Sequence, residues 1–200
     1  MLIHLRSDNF YKKLLDSVYQ DPVHSITDRR NLERRCRFDR NIFFLVENEQ
    51  PVAVLCVAYT EGLKDSIDDI LDNDSPVSMF ADHAIFYSVF RTDTVSTTQN
   101  AGAKLIHAAA RWIKSHNSHI TSYVTMSPIP DLSANFAEPP SIDAVKEFLL
   151  TLKDPVAKFH VRNGAKILRV IPNADNSERR RKQSYSTMAN YDYTHNLTEQ

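Results

Sequence analysis

Glycine is scarce in this chain: Gly62, Gly102 and Gly164 are the only three in 200 residues. A backbone that must turn left-handed, or pass close to another group, has few places to do so without glycine. Each glycine therefore marks a local constraint. The tightest setting is Asp154-Pro-Val-Ala-Lys-Phe-His160-Val-Arg-Asn-Gly164-Ala165. The spacing Ala157-x-x-His160-x-x-x-Gly164 predicts the end of a short helix, stopped by a residue that accepts positive φ. His160 falls on the apolar side of that turn. Two readings of it are open at this point: a buried, hydrogen-bonded structural histidine, or a chemical group.

Size and charge narrow the classes. With 42% hydrophobic residues, the chain is long enough for one buried core, and one domain over residues 1–200 is expected, residues 1–38 forming a helical N-terminal segment. A net charge of −1 gives no global field for nucleic acid or an anionic membrane, so neither is expected as a partner. Cys36 and Cys56 are too few for a disulfide framework and lack metal-ligand spacing. The N-terminus has no apolar signal region, and no stretch reaches the length of a membrane span. A cytoplasmic location is the expectation.

Along the chain, helical periodicity predicts helices over 7–20 and 28–37, the second rich in arginine and read as a solvated face. Strands 41–46 and 52–59 follow, joined by a polar turn over 47–51. Residues 63–73 suggest an amphipathic helix with Leu63, Ile67, Ile70 and Leu71 on one side. Its aspartates lie around the helix and do not converge, so no metal site is expected. The near-continuous apolar run 84–90 predicts a strand buried on both faces. A helix over 103–115 with Leu105, Ile106, Ala109 and Trp112 buried comes next, then an alternating strand over 120–126. A proline-bearing loop reaches Pro140, a capped helix spans 141–152, and a strand spans 166–171. The tail returns over 184–193.

Between strand 84–90 and its helix lies Thr97-Thr98-Gln99-Asn100-Ala101-Gly102-Ala103. A strand, a glycine-bearing loop and a helix together aim free backbone N–H groups at a phosphate. The plain alternative is a helix start with a tight-packing glycine. The run Gln99-Asn100-Ala101-Gly102-Ala103, a Q-x-x-G-A pattern, resembles the acyl-CoA loop of the N-acetyltransferase (GNAT) superfamily. That resemblance implies an α+β fold: a mixed, mostly antiparallel sheet, splayed between two central strands that admit pantetheine and flanked by helices. Residues 97–103 would then bind the substrate's phosphates. Enzymes of that fold often carry a tyrosine four residues before the helix-ending glycine, where this chain has His160. They also place a carboxylate base on the splayed strands, but strands 84–90 and 120–126 contain no Asp or Glu.

A narrower resemblance rests on several motifs in order: Ala84-Ile-Phe-Tyr-Ser88, Met126-Ser-Pro-Ile-Pro130, the Asp154–Ala165 stretch, and Gln183-Ser-Tyr-Ser-Thr-Met-Ala-Asn-Tyr191. These resemble the catalytic domain of malonyl-CoA decarboxylases. About 30 residues separate the serine and histidine motifs, a short form similar to the decarboxylating loading domains of polyketide synthases. The resemblance implies decarboxylation of a malonyl thioester, carried by CoA or an acyl carrier protein, to the acetyl thioester. It implies no cofactor and no metal, CoA being part of the substrate. The catalytic pair falls on Ser127 and His160. An imidazole near its ordinary pKa of about 6.5 would protonate the enolate, and Ser127 would orient the carboxylate or the imidazole. The competing readings are a CoA-dependent acyltransferase and a non-catalytic module binding acyl-CoA or a carrier protein. The basic run Arg179-Arg-Arg-Lys182 reads either as a solvated face or as a contact for a phosphate or an acidic carrier.

Overall fold

The polar turn between the first two long strands closes in only two residues. Asn48 and Glu49 both take left-handed backbone, with φ 49° and 61°. That geometry gives a tight hairpin whose twist matches its strands. Strands β2 (Arg40–Glu47) and β3 (Gln50–Thr60) are consequently longer than the apolar runs alone predict. Pro51 stands opposite Val46, at the register shift where the ladder is already irregular.

A computed structural model describes residues 1–4, 18, 35, 40–71, 80–92 and 98–197. The helices expected over 7–20 and 28–37 lie outside these, except Val18 and Arg35, which are helical and buried. The described chain gathers into two compact units, Met1–Gly62 with Asp74–Thr121 and Leu63–Asn73 with Ser122–Gln200.

In the first unit β1 (Leu2–His4) pairs with β2, and β4 (His83–Arg91) with β3, all antiparallel. Every residue of β3 from Val52 to Ala58 is buried, as are Ala84 to Ser88 of β4. Side chains of alternating direction that are all buried mean a sheet covered on both faces, as the apolar run of 84–90 predicts. Helix α2 (Ala101–His116) packs on this sheet. It starts at Ala101, two residues before the expected start. Its buried stripe is Leu105, Ile106, Ala109, Ala110 and Ile113. Trp112, expected in that stripe, is half-buried and instead stacks on His116 at 4.0 Å between ring centroids. One helical position separates Trp112 from Ile113, and the smaller side chain takes the core.

The second unit is built around β8 (Met188–Asp192). Strands β5 (Ser122–Thr125), β6 (Ser127–Pro128) and β7 (Lys166–Ile171) all pair with it antiparallel. β5 and β6 meet β8 in one continuous register, Val124 opposite Asp192 and Ser127 opposite Ala189. They are therefore one strand interrupted at Met126, which corrects the single alternating strand expected over 120–126. Tyr123 through Ser127 are buried without alternation. Helix α1 (Ile67–Leu71) begins four residues after Leu63 and buries Ile67 and Ile70, and residues 72 and 73 lie outside the described set. Where a loop is expected before Pro140, a short helix α3 (Leu132–Asn135) forms. Helix α4 (Ile142–Leu150) is capped by Ser141, whose Oγ accepts from Ala144 N at 3.3 Å. Among the described residues no helix is long and apolar enough to cross a membrane.

Candidate active site

Helix α5 (Pro155–Arg162) carries His160, and both its ends are locked. At the start, Asp154 Oδ1 accepts from Val156 N and Ala157 N at 2.9 Å each, and Oδ2 accepts from Asp131 N at 3.2 Å. Pro155 fills the first helical position, where its missing N–H costs nothing. The Asp154 carboxyl is fully buried, and that burial raises its pKa against the three N–H bonds that lower it. At the other end Gly164 takes φ +90°, Gly164 N bonds to Val161 O at 3.0 Å, and Ala165 N bonds to His160 O at 3.0 Å. This paired closure is the Schellman arrangement that the Gly164 spacing predicts. Asn196 donates from Nδ2 to Gly164 O at 2.7 Å, leaving no room for a β-carbon there.

So anchored, α5 presents His160 to the interrupted strand. The imidazole is 2% exposed, and its Nε2 lies 3.0 Å from Ser127 Oγ. Ser127 Oγ in turn donates to Thr125 Oγ1 at 2.9 Å. On the far side of the ring, Nδ1 is 2.9 Å from the Tyr193 hydroxyl. The Tyr191 ring stacks on the imidazole face at 4.6 Å with 24° between planes. Phe159 meets it edge-on at 5.0 Å. All these residues belong to the second unit.

The interruption at Met126 has a local cause. Tyr191 N, which would serve a regular ladder, donates instead to Thr125 Oγ1 at 3.2 Å. The Asn190 amide Nδ2 takes the Thr125 carbonyl. Two side chains thus replace two ladder bonds, and the pairing is broken where the site lies. Asn190 is held in turn: its Oδ1 accepts from Arg169 Nε at 2.7 Å, while Arg169 reaches Asp65 Oδ1 at 2.7 Å and the Lys64 carbonyl at 2.6 Å.

Burial dominates the electrostatics. It drives the His160 pKa down to about 3, so the ring is neutral near pH 7. This departs from the expectation of an imidazole titrating near its ordinary value. Desolvation likewise raises the Tyr193 and Tyr191 phenols above their usual range. Among the described residues the Tyr191 hydroxyl has no hydrogen-bonding partner.

Ser127 and His160, expected as a pair from motifs 33 residues apart, are in hydrogen-bond contact. Of the residues expected to hold phosphates, Thr97 lies outside the described residues. The others belong to the first unit. Thr98 Oγ1 donates to Glu47 Oε1 at 3.1 Å, and Gln99 and Asn100 are exposed. Ala101, Gly102 and Ala103 form the first turn of α2. The left-handed residue there is Asn100, at φ 55°, and it makes no side-chain cap. The first-turn N–H groups therefore carry no cap from it. The basic run falls on helix α6 (Glu178–Ser184) and divides in two. Arg180 is buried, with Nη1 2.8 Å from Gln183 Oε1 and Nε 3.8 Å from Asp175 Oδ2, while Arg179, Arg181 and Lys182 are exposed. Among the described residues no cluster of three or more His, Cys, Asp or Glu could hold a metal.

Thr125 and Tyr193 lie outside the quoted motifs, and Tyr191 ends one of them without being given a role. Thr125 and Ser127 sit two residues apart, as do Tyr191 and Tyr193, but nothing in the sequence says which segment lies beside which.

The model of the malonyl-CoA decarboxylase C-terminal domain family matches residues 9–150 and 142–200. No curated protein matches the chain. Among solved structures, malonyl-CoA decarboxylase from Agrobacterium vitis aligns at TM-score 0.79 and 24% identity, over 96% of this chain and 60% of that one. The loading GNATL domain of CurA from Lyngbya majuscula aligns at TM-score 0.67 and 12% identity, over 96% and 97%. The GNAT-like decarboxylase GphF, solved with isobutyryl-CoA, aligns at TM-score 0.65 and 16% identity, over the same shares. The fold is GNAT-like and α+β, and the chain spans about three fifths of the Agrobacterium enzyme's length. By its sequence, it belongs to the malonyl-CoA decarboxylase C-terminal domain family.

Proposed function

We propose that this chain decarboxylates a malonyl thioester to the acetyl thioester, with Ser127 and His160 acting together on the enolate. The observation that carries the reading is the buried 3.0 Å contact between Ser127 Oγ and His160 Nε2, in a chain of this family. A malonyl thioester is already a β-carbonyl acid. When its C–C bond breaks, CO₂ leaves and the electron pair stays as an enolate conjugated with the thioester carbonyl. One proton must then reach the α-carbon. The desolvated His160 is neutral, so an imidazolium is not the donor. A thioester enolate is basic enough to take a proton from a neutral hydroxyl, and an imidazole with a hydroxyl on each nitrogen is a relay that can resupply it. The low-dielectric surroundings also favour turning a carboxylate's localised charge into the delocalised charge of the enolate as CO₂ leaves.

The thioester's carrier is proposed to be CoA, its phosphates received by residues 98–103, which include the first-turn N–H groups of α2. A malonyl group on an acyl carrier protein is the second donor to compare. The test is mass spectrometry of malonyl-CoA, and separately of malonyl-carrier protein, incubated with wild type, Ser127→Ala and His160→Ala. Wild type should release CO₂ and the acetyl thioester, with each variant slower by about 10² or more. Equal turnover in all three proteins, or none by wild type with either donor, would overturn the reading.

A further inference from the structure

We propose that Arg169 is a positioning residue for Ser127: through the Asn190 amide it fixes the Thr125 carbonyl, and with it the broken strand that holds the Ser127 hydroxyl against His160. That this governs turnover rests on the decarboxylase reading, while the orientation of the amide rests on geometry alone.

Asn190 is the residue of β8 where the ladders on both sides leave regular pairing. On one side β7 sets Ile167 opposite Tyr191 and Arg169 opposite Asn190, so Leu168 is an extra, bulged residue. In a regular ladder Arg169 would fall opposite Ala189, with its side chain on the other face from that of Asn190. The bulge turns the two onto one face, where they bond. On the other side Val124 stands opposite Asp192 and Ser127 opposite Ala189, which puts the interruption at Met126 opposite Asn190.

The amide between the two irregularities has one orientation. A guanidinium can only donate, and a carbonyl can only accept. Arg169 Nε therefore meets Oδ1, at 2.7 Å, and Nδ2 is left to donate to the Thr125 carbonyl. The other guanidinium nitrogens are held as well, Nη1 by Asp65 Oδ1 at 2.7 Å and Nη2 by the Lys64 carbonyl at 2.6 Å. A run of bonds thus passes from the exposed Asp65 to an asparagine only 1% exposed, and on to the backbone two residues before the serine. The Thr125 carbonyl fixes the plane of the peptide leading into Met126, and so the direction in which the chain enters Ser127. Without Arg169 the amide is free to turn its oxygen toward that carbonyl, where two acceptors repel. The buried carbonyl then lacks its donor, and the peptide rotates to find another. Such a rotation shifts Ser127 Oγ from its 3.0 Å contact with His160. A misplacement of about 1 Å costs about 10²-fold in rate, and a partial shift about tenfold.

A structural role, tying β7 to β8, makes different predictions, and three variants separate the two. Asn190→Asp keeps the shape and offers Arg169 a charged acceptor, so the strands stay tied, yet it has no donor for the Thr125 carbonyl. Its kcat for malonyl thioester should fall by about tenfold or more, with KM within about threefold. Arg169→Ala should show the same split, and its Asn190 side-chain amide protons should exchange with solvent faster than in wild type by NMR. The arginine side chain is 31% exposed, so added methylguanidinium can enter the space it leaves. It should restore both kcat and amide protection in Arg169→Ala while leaving wild type unchanged. Arg169→Lys keeps the charge without the planar fork and should recover little. A folded Arg169→Ala or Asn190→Asp with wild-type kcat overturns the proposal, and so does rescue by lysine as complete as by methylguanidinium. If Asn190→Asp fails to fold, the two arginine variants decide. A protected Asn190 amide that Arg169→Ala exposes, in a wild type that turns over neither malonyl thioester, would sink the decarboxylase reading and leave the amide orientation standing.

Discussion

On the proposed function, the buried cluster on β5, β6, α5 and β8 and the start of α2 are two opposite ways to prepare for a ligand. In the first, every polar contact to the imidazole is made before any substrate arrives: Ser127 and Tyr193 bond its nitrogens, Tyr191 covers its face, and water is kept away. In the second, Asn100 turns left-handed without capping its helix, so first-turn donors gain no partner from it. A preorganised cluster stabilises a transition state because its dipoles need not reorient. An open helix start binds charge without discriminating how far the reaction has gone. The difference predicts that damage in the two regions will appear in different kinetic constants.

The sharpest way to break this comparison is to lesion each region once. His160→Gln keeps an amide donor but loses the two-sided relay, and kcat should fall by about 10² or more with KM within about threefold. Gly102→Asp puts a carboxylate in the first turn of α2, where it favours the helix and repels an anionic ligand. KM for malonyl-CoA should rise by about tenfold at constant kcat, with Tm unchanged or higher. If His160→Gln raises KM alone, or Gly102→Asp lowers kcat alone, the division of labour is wrong.

What the sequence disclosed differs between the regions for the same reason. Local chemistry was readable: Gly164 announced its helix end, the run 166–171 its strand, and the polar 47–51 segment its hairpin. The α2 start was visible as a motif, though the left-handed residue proved to be Asn100, because an asparagine tolerates that backbone. The pairing of Ser127 with His160 came from resemblance to a family, and periodicity could not have supplied it. Thr125, Tyr191 and Tyr193 stayed hidden because their roles depend on which strand lies beside which. The break at Met126 depends on two side chains replacing ladder bonds, a tertiary event without a local signature. The low pKa of His160 is likewise a property of burial, and no residue type near it in sequence reports that.

Two measurements of intermediate size refine the buried side. Gly164→Ala must adopt φ near +90° and displace the Asn196 amide. The amide can swing aside, so the lasting costs are backbone strain and one hydrogen bond. Thermal or urea unfolding should show a loss of about 1–3 kcal/mol, and unchanged stability would mean α5 closes differently. The second concerns pH. Folding depresses the His160 pKa from 6.5 to about 3, so between those values the unfolded chain binds the extra proton. Its contribution is present in full above pH 6.5 and is lost as pH falls toward 3. In that window wild type should lose stability faster than His160→Gln. Turnover should show no inflection near 6.5, and an activity step there would place a titrating imidazole in the site.

The smallest effect is expected at Tyr191, the residue that touches both ends of the cluster. Its backbone N–H holds Thr125 and its ring covers His160, yet its hydroxyl is buried without a partner among the described residues. Removing an unpaired buried hydroxyl relieves a desolvation cost that is not compensated, whereas removing the ring would open one face of the imidazole to water. Tyr191→Phe should therefore fold with equal or slightly greater stability, by up to about 1 kcal/mol, and keep kcat within about twofold. Tyr191→Leu should let the His160 pKa rise and bring back a pH dependence of turnover. A tenfold loss in Tyr191→Phe at unchanged stability would show that the hydroxyl is reserved for the substrate. The cluster would then have one contact left open in the resting protein, and the contrast with the uncapped helix start would narrow to a difference of degree.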